Sequence, residues 1–292
     1  MEMKDQKIYP IAYILPVLVI FFTFSFLPGL VSIGYSFTNW NSFTDEVDFI
    51  GMENYKQIFL EGKQYLGYIK NTFVFAVVTT ILKTVIGFLF ALLFTSNIKG
   101  KGIHRTIIFS PQVMSALIVS LVFRAMLQPT TGFLNVFLRS IGLDFLAKSW
   151  LTDLSLAFPS VMAVDTWKGV GYIMVVLISG MQSIPPEYYE AAAVDGATGI
   201  QRVRYIMLPL LKPIFISCTV LNLTYGFRVF DIVYALTGGG PGYATSVINT
   251  AVFKSFSDGN YGMGSALSSI LFVFLMALSY FIIKFQEGKV ES

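Results

Sequence analysis

Six runs of mostly apolar residues divide this chain and constrain its fold more than any other feature. They cover about 11–33, 69–95, 106–127, 156–181, 206–232 and 263–283. A bilayer core about 30 Å thick is crossed by about 20 consecutive apolar residues in a helix. With 55% hydrophobic and only 13% charged residues, the chain has more apolar surface than a water-soluble fold of this length would bury. We therefore predict an all-α, polytopic membrane protein with six transmembrane helices.

The distribution of Lys and Arg predicts which side of the membrane each loop faces. If the N-terminus is cytoplasmic, the inner segments carry nine cations in 53 residues, whereas the longer outer loops carry five. Cytoplasmic loops are the ones enriched in Lys and Arg. Both termini are therefore expected in the cytoplasm, as tails over 1–10 and 285–292 that flank a transmembrane domain over 11–284.

The rare residues of this chain exclude several classes of function. Cys218 is the only cysteine and His104 the only histidine, so neither an intrachain disulfide nor a histidine-rich metal site is possible. The sequence has no Gly-x4-Gly-Lys-Ser/Thr phosphate loop, so it does not bind ATP in that way. No constellation of Ser, His and acidic residues supports a membrane-embedded enzyme. We expect no catalytic residue, no metal, no cofactor and no nucleic-acid partner for this chain.

The inner loop between the fourth and fifth runs, 182–209, begins with the signature of a short helix. Ser183 suits the N-cap, and Pro185 and Pro186 suit the first turn, where a missing N–H is not needed. Glu187 and Glu190 follow in the early turns, where the helix dipole favours anions.

The second half of this loop suits contact with another protein. Ala191–Ala193 give the helix a surface of low relief, and Gly196 suits a left-handed turn at its C-terminal end. A second helical stretch over about 199–206 then leads into the next span and stops near Pro209. These are properties of a docking element that passes a movement to a membrane helix. The residues alone leave an ordinary connecting loop as an equal alternative.

The spacing of this loop resembles that of a known family. Glu190-Ala-Ala, three residues, Gly196, nine residues, Ile206, one residue and Leu208-Pro209 resemble the Glu-Ala-Ala signature of ABC importer permeases. Five further segments resemble the carbohydrate-uptake branch: Asn71-Thr72, Arg105-x4-Ser110-Pro111, Asp165-x-Trp167-Lys168-Gly169, Gln182-Ser-Ile-Pro185 and Leu236-Thr-Gly-Gly-Gly-Pro241. The chain is most similar to the maltose-type first permease subunit, without that subunit's extra N-terminal spans and large external domain.

The resemblance implies a fold and a set of partners. It implies the type I ABC importer permease fold in a bacterial cytoplasmic membrane, paired with a second permease. Two ATPase subunits would bind ATP and Mg, and an external binding protein would deliver a sugar or oligosaccharide. A polyol or a glycerol phosphoester is the alternative solute. The residues that would engage the ATPase are Glu187, Glu190, Ala191, Ala192 and Gly196.

Ionisable residues inside spans are costly and mark a cavity or a pairing. Lys83 lies deep in its span, so we expect a partner from another helix or a cavity contact. Asp165 and Lys168 are three residues apart, as are Arg228 and Asp231, and each pair is expected to meet on one helix face.

The resemblance also implies where a sugar would bind. In the maltose-type permease the sugar site is built from the spans on either side of the Glu-Ala-Ala loop. The matching positions here are Lys168, Gly169, Tyr172, Asn222, Tyr225 and Gly226. Helix packing is the alternative role for such small and polar residues, and the partner permease is the alternative holder of the site.

A stand-alone secondary transporter or channel is the competing class. It would show internal repeats or proton-relay carboxylates within its spans. We find no clear repeat, and the few intramembrane acids lie near predicted helix ends.

Overall fold

A computed structural model of the protein describes residues 13–96 and 98–287, and this part of the chain is mostly helical. Its helices are α1 Leu15–Phe21, α2 Leu27–Tyr35, α3 Glu53–Lys56, α4 Lys63–Thr95, α5 Lys101–Val113, α6 Ala116–Met126, α7 Phe133–Ser140, α8 Ala157–Gln182, α9 Pro186–Val194, α10 Gly199–Arg202, α11 Leu208–Leu210, α12 Lys212–Phe227, α13 Asp231–Thr237, α14 Ile248–Ser257 and α15 Tyr261–Glu287. Short π-helical segments cover Phe22–Phe26, Gln57–Glu61 and Val203–Met207, and a 3-10 turn covers Asp144–Leu146. The predicted tail 1–10 and the last five residues of the predicted tail 285–292 lie outside the described residues.

The apolar runs of the sequence correspond to four single helices and two bent pairs. The single helices cover Leu15–Tyr35, Lys63–Thr95, Ala157–Gln182 and Tyr261–Ile282, and each is long and apolar enough to cross a membrane. The bent pairs are α5 with α6, at 99°, and Gly199–Leu210 with Lys212–Phe227, at 67°. The six predicted spans match this arrangement if each bent pair is counted as one crossing.

Local backbone chemistry accounts for the two bends. The first lies where Met114 and Ser115 leave the helical region, with ψ of 143° and 136°. The second lies at Leu211, two residues before Pro213 in the first turn of α12. Because proline lacks an N–H and clashes with the preceding turn, helices break or kink beside it. A hydropathy profile depends on composition alone and therefore does not indicate either bend.

The chain divides into two compact units, of which the larger is Gln64–Thr250. Two apolar clusters form the core of this unit. The first contains Phe75 of α4, Val161 of α8 and Val233 of α13. The second contains Ala91 of α4, Leu177 of α8 and Cys218 of α12. Along α4 and α8, and from α12 to α13, the residues between the two clusters are partly polar, so a polar layer separates two apolar ones.

Several motif residues hold the larger unit together. The side-chain amide of Asn71 donates to the backbone carbonyls of Ala244 and Ser246, at 3.1 and 3.0 Å. The Thr72 hydroxyl accepts from the Ile248 N–H. These bonds tie α4 to the chain that follows the Gly-Gly-Gly-Pro segment. Arg105 donates to the Phe94 carbonyl in the last turn of α4, at 2.6 Å.

The smaller unit contains the chain up to Lys63 and the chain from Ala251 onward. Within it α2 packs on α15. Asn54 is buried, and its side-chain amide donates to the carbonyls of Ser36 and Thr38. Within the described residues the only β-bridge joins Thr38 to Phe49, and there is no sheet.

Candidate functional site

A cavity of about 230 Å³ opens in the polar layer of the larger unit. Its walls come from α4, α5, α8 and α12, and its lining residues are Lys83, Gln112, Asp165, Lys168, Gly169, Tyr172, Leu221, Asn222 and Tyr225. Five of the six residues to which the resemblance assigns sugar binding line this one cavity. The sixth, Gly226, packs on α4, where an added Cβ would lie 2.6 Å from the Ala76 Cα.

A buried ion pair forms one wall of the cavity. The Lys83 ammonium lies 2.6 Å from Asp165 Oδ2, and their side chains are 3% and 1% exposed. The Tyr225 hydroxyl donates to Asp165 Oδ1 at 2.9 Å, and Lys83 Nζ lies 4.6 Å from the centre of the Tyr225 ring. The three side chains thus join α4, α8 and α12 at one point. The interhelical partner expected for Lys83 is confirmed.

The predicted pairing of Asp165 with Lys168 on one helix face is wrong. Both carboxylate oxygens of Asp165 face Lys83 and Tyr225. Lys168 instead donates to the Gln112 backbone carbonyl, at 3.4 Å. Two interhelical contacts to a buried carboxylate outweigh the small gain of a single i,i+3 pair, which is about 0.2–0.5 kcal/mol.

The predicted pairing of Arg228 with Asp231 does not occur either. Arg228 is the C-cap of α12, whereas Asp231 is the first residue of α13. The helix is interrupted between them: α12 ends at Phe227, and Phe230, the N-cap of α13, has φ and ψ of −144° and −62°. Residues three apart share a face only within a continuous helix.

Gly169 makes room for the ion pair. An added Cβ at this position would lie 2.8 Å from Lys83 Cε, closer than real Cβ contacts come. Trp167, two residues before Gly169, does not line this cavity. Its ring makes an edge contact with Phe123 and lines an apolar pocket between α6 and α8.

Asn222 is buried, and its Nδ2 atom has no hydrogen-bond partner within the described residues. Tyr172 and Tyr225 expose aromatic surface, at 40% and 44%. The cavity therefore combines charge, hydrogen-bonding groups and aromatic faces, which is what recognition of a polar solute with an apolar face needs. Gln112 of α5 is a lining residue that sequence reasoning missed. Its only signal was its place directly after the Arg105-x4-Ser110-Pro111 segment.

The inner loop 182–209 forms the short helix that its residues predict. α9 ends in a complete Schellman motif: Gly196 N–H donates to the Ala193 carbonyl and Ala197 N–H to the Ala192 carbonyl, at 3.1 and 2.9 Å. Gly196 has φ of +72°, so the left-handed turn expected there is confirmed. The N-cap is Pro185, and the prediction of Ser183 is wrong, because its hydroxyl donates back to the Gly180 carbonyl.

The second arm of the loop starts with a capping box that sequence reasoning missed. The Thr198 side chain accepts from Gln201 N–H, and the Gln201 side chain accepts from Thr198 N–H. The signal was readable as Thr-x-x-Gln before an apolar stretch. This cap fixes the start of the helical segment that runs to Leu210.

The five residues predicted to engage the ATPase do not all lie on the exposed side of the loop. Ala192 is buried, at 7% exposure, whereas Glu187, Glu190, Ala191 and Gly196 are exposed. Tyr189 packs against the second apolar cluster, and burial raises the pKa of its phenol. One side of α9 therefore holds the loop to the helix bundle, while the other side faces outward with two carboxylates and a small side chain.

Comparison with known proteins assigns this architecture. Residues 83–291 match the family described as the binding-protein-dependent transport system inner membrane component. The chain belongs to this family. It is 37% identical over 292 residues to the probable ABC transporter permease protein YurN of Bacillus subtilis, covering 99% of each chain. It is 34% identical to the trehalose/maltose transport system permease protein MalF of Thermococcus litoralis, covering 94% of this chain and 92% of the relative.

A solved structure supports the same assignment. The fold superposes with a TM-score of 0.81 and 26% identity on a chain of a bacterial alginate ABC transporter in complex with a periplasmic protein that carries an alginate pentasaccharide, covering 93% of this chain and 91% of that one. The type I ABC importer permease fold implied by the Glu-Ala-Ala resemblance is confirmed. The protein is a membrane-embedded permease subunit of an ABC importer and not an enzyme.

Proposed function

We propose that this importer permease forms, with a second permease subunit, the pathway for a sugar or oligosaccharide across a bacterial cytoplasmic membrane. Two ATPase subunits, which hold ATP and Mg, drive the import, and an external binding protein delivers the solute. The observation that carries the proposal is the pairing of one outward-facing docking helix with one polar cavity, joined by the helices α8 and α12 that flank the loop.

The docking role rests on the geometry of α9. Its outward face presents Glu187, Glu190 and Ala191, and the alanine leaves no bulky side chain between the helix backbone and a partner. The Schellman turn at Gly196 and the capping box after it fix the angle between the two arms of the loop. A push on α9 is therefore passed to α12 through a rigid connection.

The solute role rests on the cavity side chains. Tyr172 and Tyr225 offer aromatic faces for the apolar side of a sugar ring. Lys168 and Asn222 offer donors for its oxygens. Gly169 keeps the wall open beside them, and Gly226 sets the approach of α12 to α4. The relative named for trehalose and maltose transport supports a saccharide as the solute class.

The proposed membrane orientation places both termini and the docking helix in the cytoplasm. It rests on the excess of Lys and Arg in the segments that would face inward. On this arrangement the cavity lies between the ATPase side and the binding-protein side, as a pathway for import requires.

Replacement of Ala191 by Trp tests the docking role. A bulky ring on the exposed face of α9 should prevent close approach of the ATPase and leave the permease itself folded. We expect at least a tenfold loss of ATP-dependent uptake by the complete importer in vesicles, and loss of the ATPase when the complex is purified. Ala125→Trp, the same change at an exposed position of α6, is the matched control and should keep both properties. Uptake by Ala191→Trp equal to that of the unmodified protein would contradict the docking role.

The alternative solute is a polyol or a glycerol phosphoester, carried by the same machine. A ligand screen on the partner binding protein separates these classes directly. Binding of saccharides supports the proposal, whereas exclusive binding of glycerol derivatives supports the alternative.

A further inference from the structure

The residues that line the cavity have hydrogen-bond donors without acceptors, and their positive charges outnumber their negative ones. Its charged side chains are Lys83, Asp165 and Lys168, which sum to one positive charge. Asp165 carries a single negative charge and therefore neutralises only one of the two cations, and its Oδ2 atom lies 2.6 Å from the Lys83 ammonium. The charge left without a close partner belongs to Lys168.

Lys168 is only weakly bonded within the described residues. Its ammonium has three N–H donors, and among the described residues it donates one hydrogen bond, to the Gln112 backbone carbonyl at 3.4 Å. The side chain is partly buried, and a partly desolvated ammonium that shares the one carboxylate lining the cavity with a second cation is costly. A second donor lines the same cavity: the buried Asn222 Nδ2 atom has no hydrogen-bond partner among the described residues.

We propose that the solute carries an anionic group that binds between Lys168 and Asn222. This group is a carboxylate or a phosphate, and the inference rests on the proposed import of a saccharide. An oxyanion accepts hydrogen bonds from both side chains and neutralises the unpaired ammonium, whereas a neutral hydroxyl leaves that charge uncompensated. Uronic acids and sugar phosphates share this chemistry. The Lys83–Asp165 pair lines the same cavity and carries no net charge, so it does not repel the anion.

Uptake by the complete importer in ATP-loaded vesicles tests this assignment. The probes are maltose as a neutral disaccharide, digalacturonate as a carboxylate and glucose 6-phosphate as a phosphate. We expect ATP-dependent uptake of digalacturonate or of glucose 6-phosphate, and the one that is carried identifies the source of the oxyanion. Lys168→Gln should raise the half-saturation concentration for that probe by roughly 10- to 100-fold, the effect of one hydrogen bond to a charged group.

Two further variants make the result specific. Lys168→Arg keeps the charge and should keep uptake of the anionic probe within about threefold. Lys148→Gln removes a positive charge from an exposed loop position and should leave uptake of every probe unchanged.

Three results would overturn the inference. They are uptake of maltose alone, unchanged uptake of the anionic probe by Lys168→Gln, and equal losses for the neutral and anionic probes in that variant. The first of these leaves the sugar-import proposal standing. Absence of ATP-dependent uptake for all three probes, together with a binding protein that binds no saccharide, would refute the sugar-import proposal and this inference with it.

Discussion

Replacement of Lys83 by Met tests how strongly the ion pair joins the helices around the cavity. The two charged atoms are 2.6 Å apart and nearly fully buried. At an effective dielectric constant of about 20, two unit charges at that separation attract by about 6 kcal/mol. Desolvation offsets much of this attraction, and removal of one partner from a buried pair costs about 3–5 kcal/mol.

The variant should therefore be folded but clearly less stable. Met fills most of the space of the lysine stem, so the main loss is electrostatic: Asp165 keeps only the hydrogen bond from Tyr225. At roughly 2 °C per kcal/mol for a chain of this size, the apparent melting temperature of the purified complex should fall by about 6–10 °C. Tryptophan fluorescence during heating, in lipid nanodiscs, measures this shift.

A double variant separates charge from packing. Lys83→Met with Asp165→Leu removes both charges, and replacement of a buried pair by apolar residues is often neutral or stabilising. Its one further cost is the hydrogen bond from Tyr225, about 1 kcal/mol. It should melt within a few degrees of the unmodified protein. If the single variant melts like the unmodified protein, or the double variant is as unstable as the single one, the ion pair does not have the role described above.

Two glycine positions give further predictions. Gly169→Ala places a Cβ 2.8 Å from Lys83 Cε and should lower stability by about 1–3 kcal/mol through overpacking, with lower solute uptake; a melting temperature and uptake rate equal to those of the unmodified protein would show that Lys83 moves aside freely. Gly196→Pro cannot adopt the observed φ of +72° and should uncouple ATP hydrolysis from uptake while the protein still inserts. Gly142→Pro is its matched control, since Gly142 also has a positive φ and open space around it but lies outside the inner loop 182–209.

The sequence predicts the helical segments of this fold well, because their signals are local. An apolar run of sufficient length specifies a membrane helix. Gly196, with charged and small residues before it, specifies the end of α9. The bend at Met114 was not predicted, since it depends on the dihedral angles of two residues within an otherwise apolar run. The helix stop predicted near Pro209 lies two residues before the observed bend at Leu211.

The pairing of the charged groups could not be predicted from sequence spacing. Asp165 and Lys168 share a helix turn, but the closest cation to Asp165 is Lys83, which is 82 positions away in the sequence. Which helices meet depends on packing across the bundle, including the close approach that Gly169 permits. The resemblance to a family located the cavity residues better than helix periodicity did, because a family motif carries this three-dimensional information.

Motif residues also differ in what they do, and the motif alone does not distinguish them. Asn71 and Arg105 bond to backbone carbonyls and hold segments of the chain together. Lys168 belongs to an equally distinctive motif and faces the cavity. Only the contacts of each side chain separate the two groups.

The bend at Leu211 divides the fifth span into two helical segments that meet at one buried residue. Leu211 is fully buried in the second apolar cluster, so packing would hold this residue in place if the helical segments on its two sides tilted. Asn222 lies eleven residues further along, about 16 Å away at 1.5 Å per helical residue, so a tilt of about 10° around Leu211 displaces it by about 3 Å. That displacement is comparable to the length of a hydrogen bond. A small rotation about Leu211 is thus sufficient to make or break a hydrogen bond at Asn222 in the cavity.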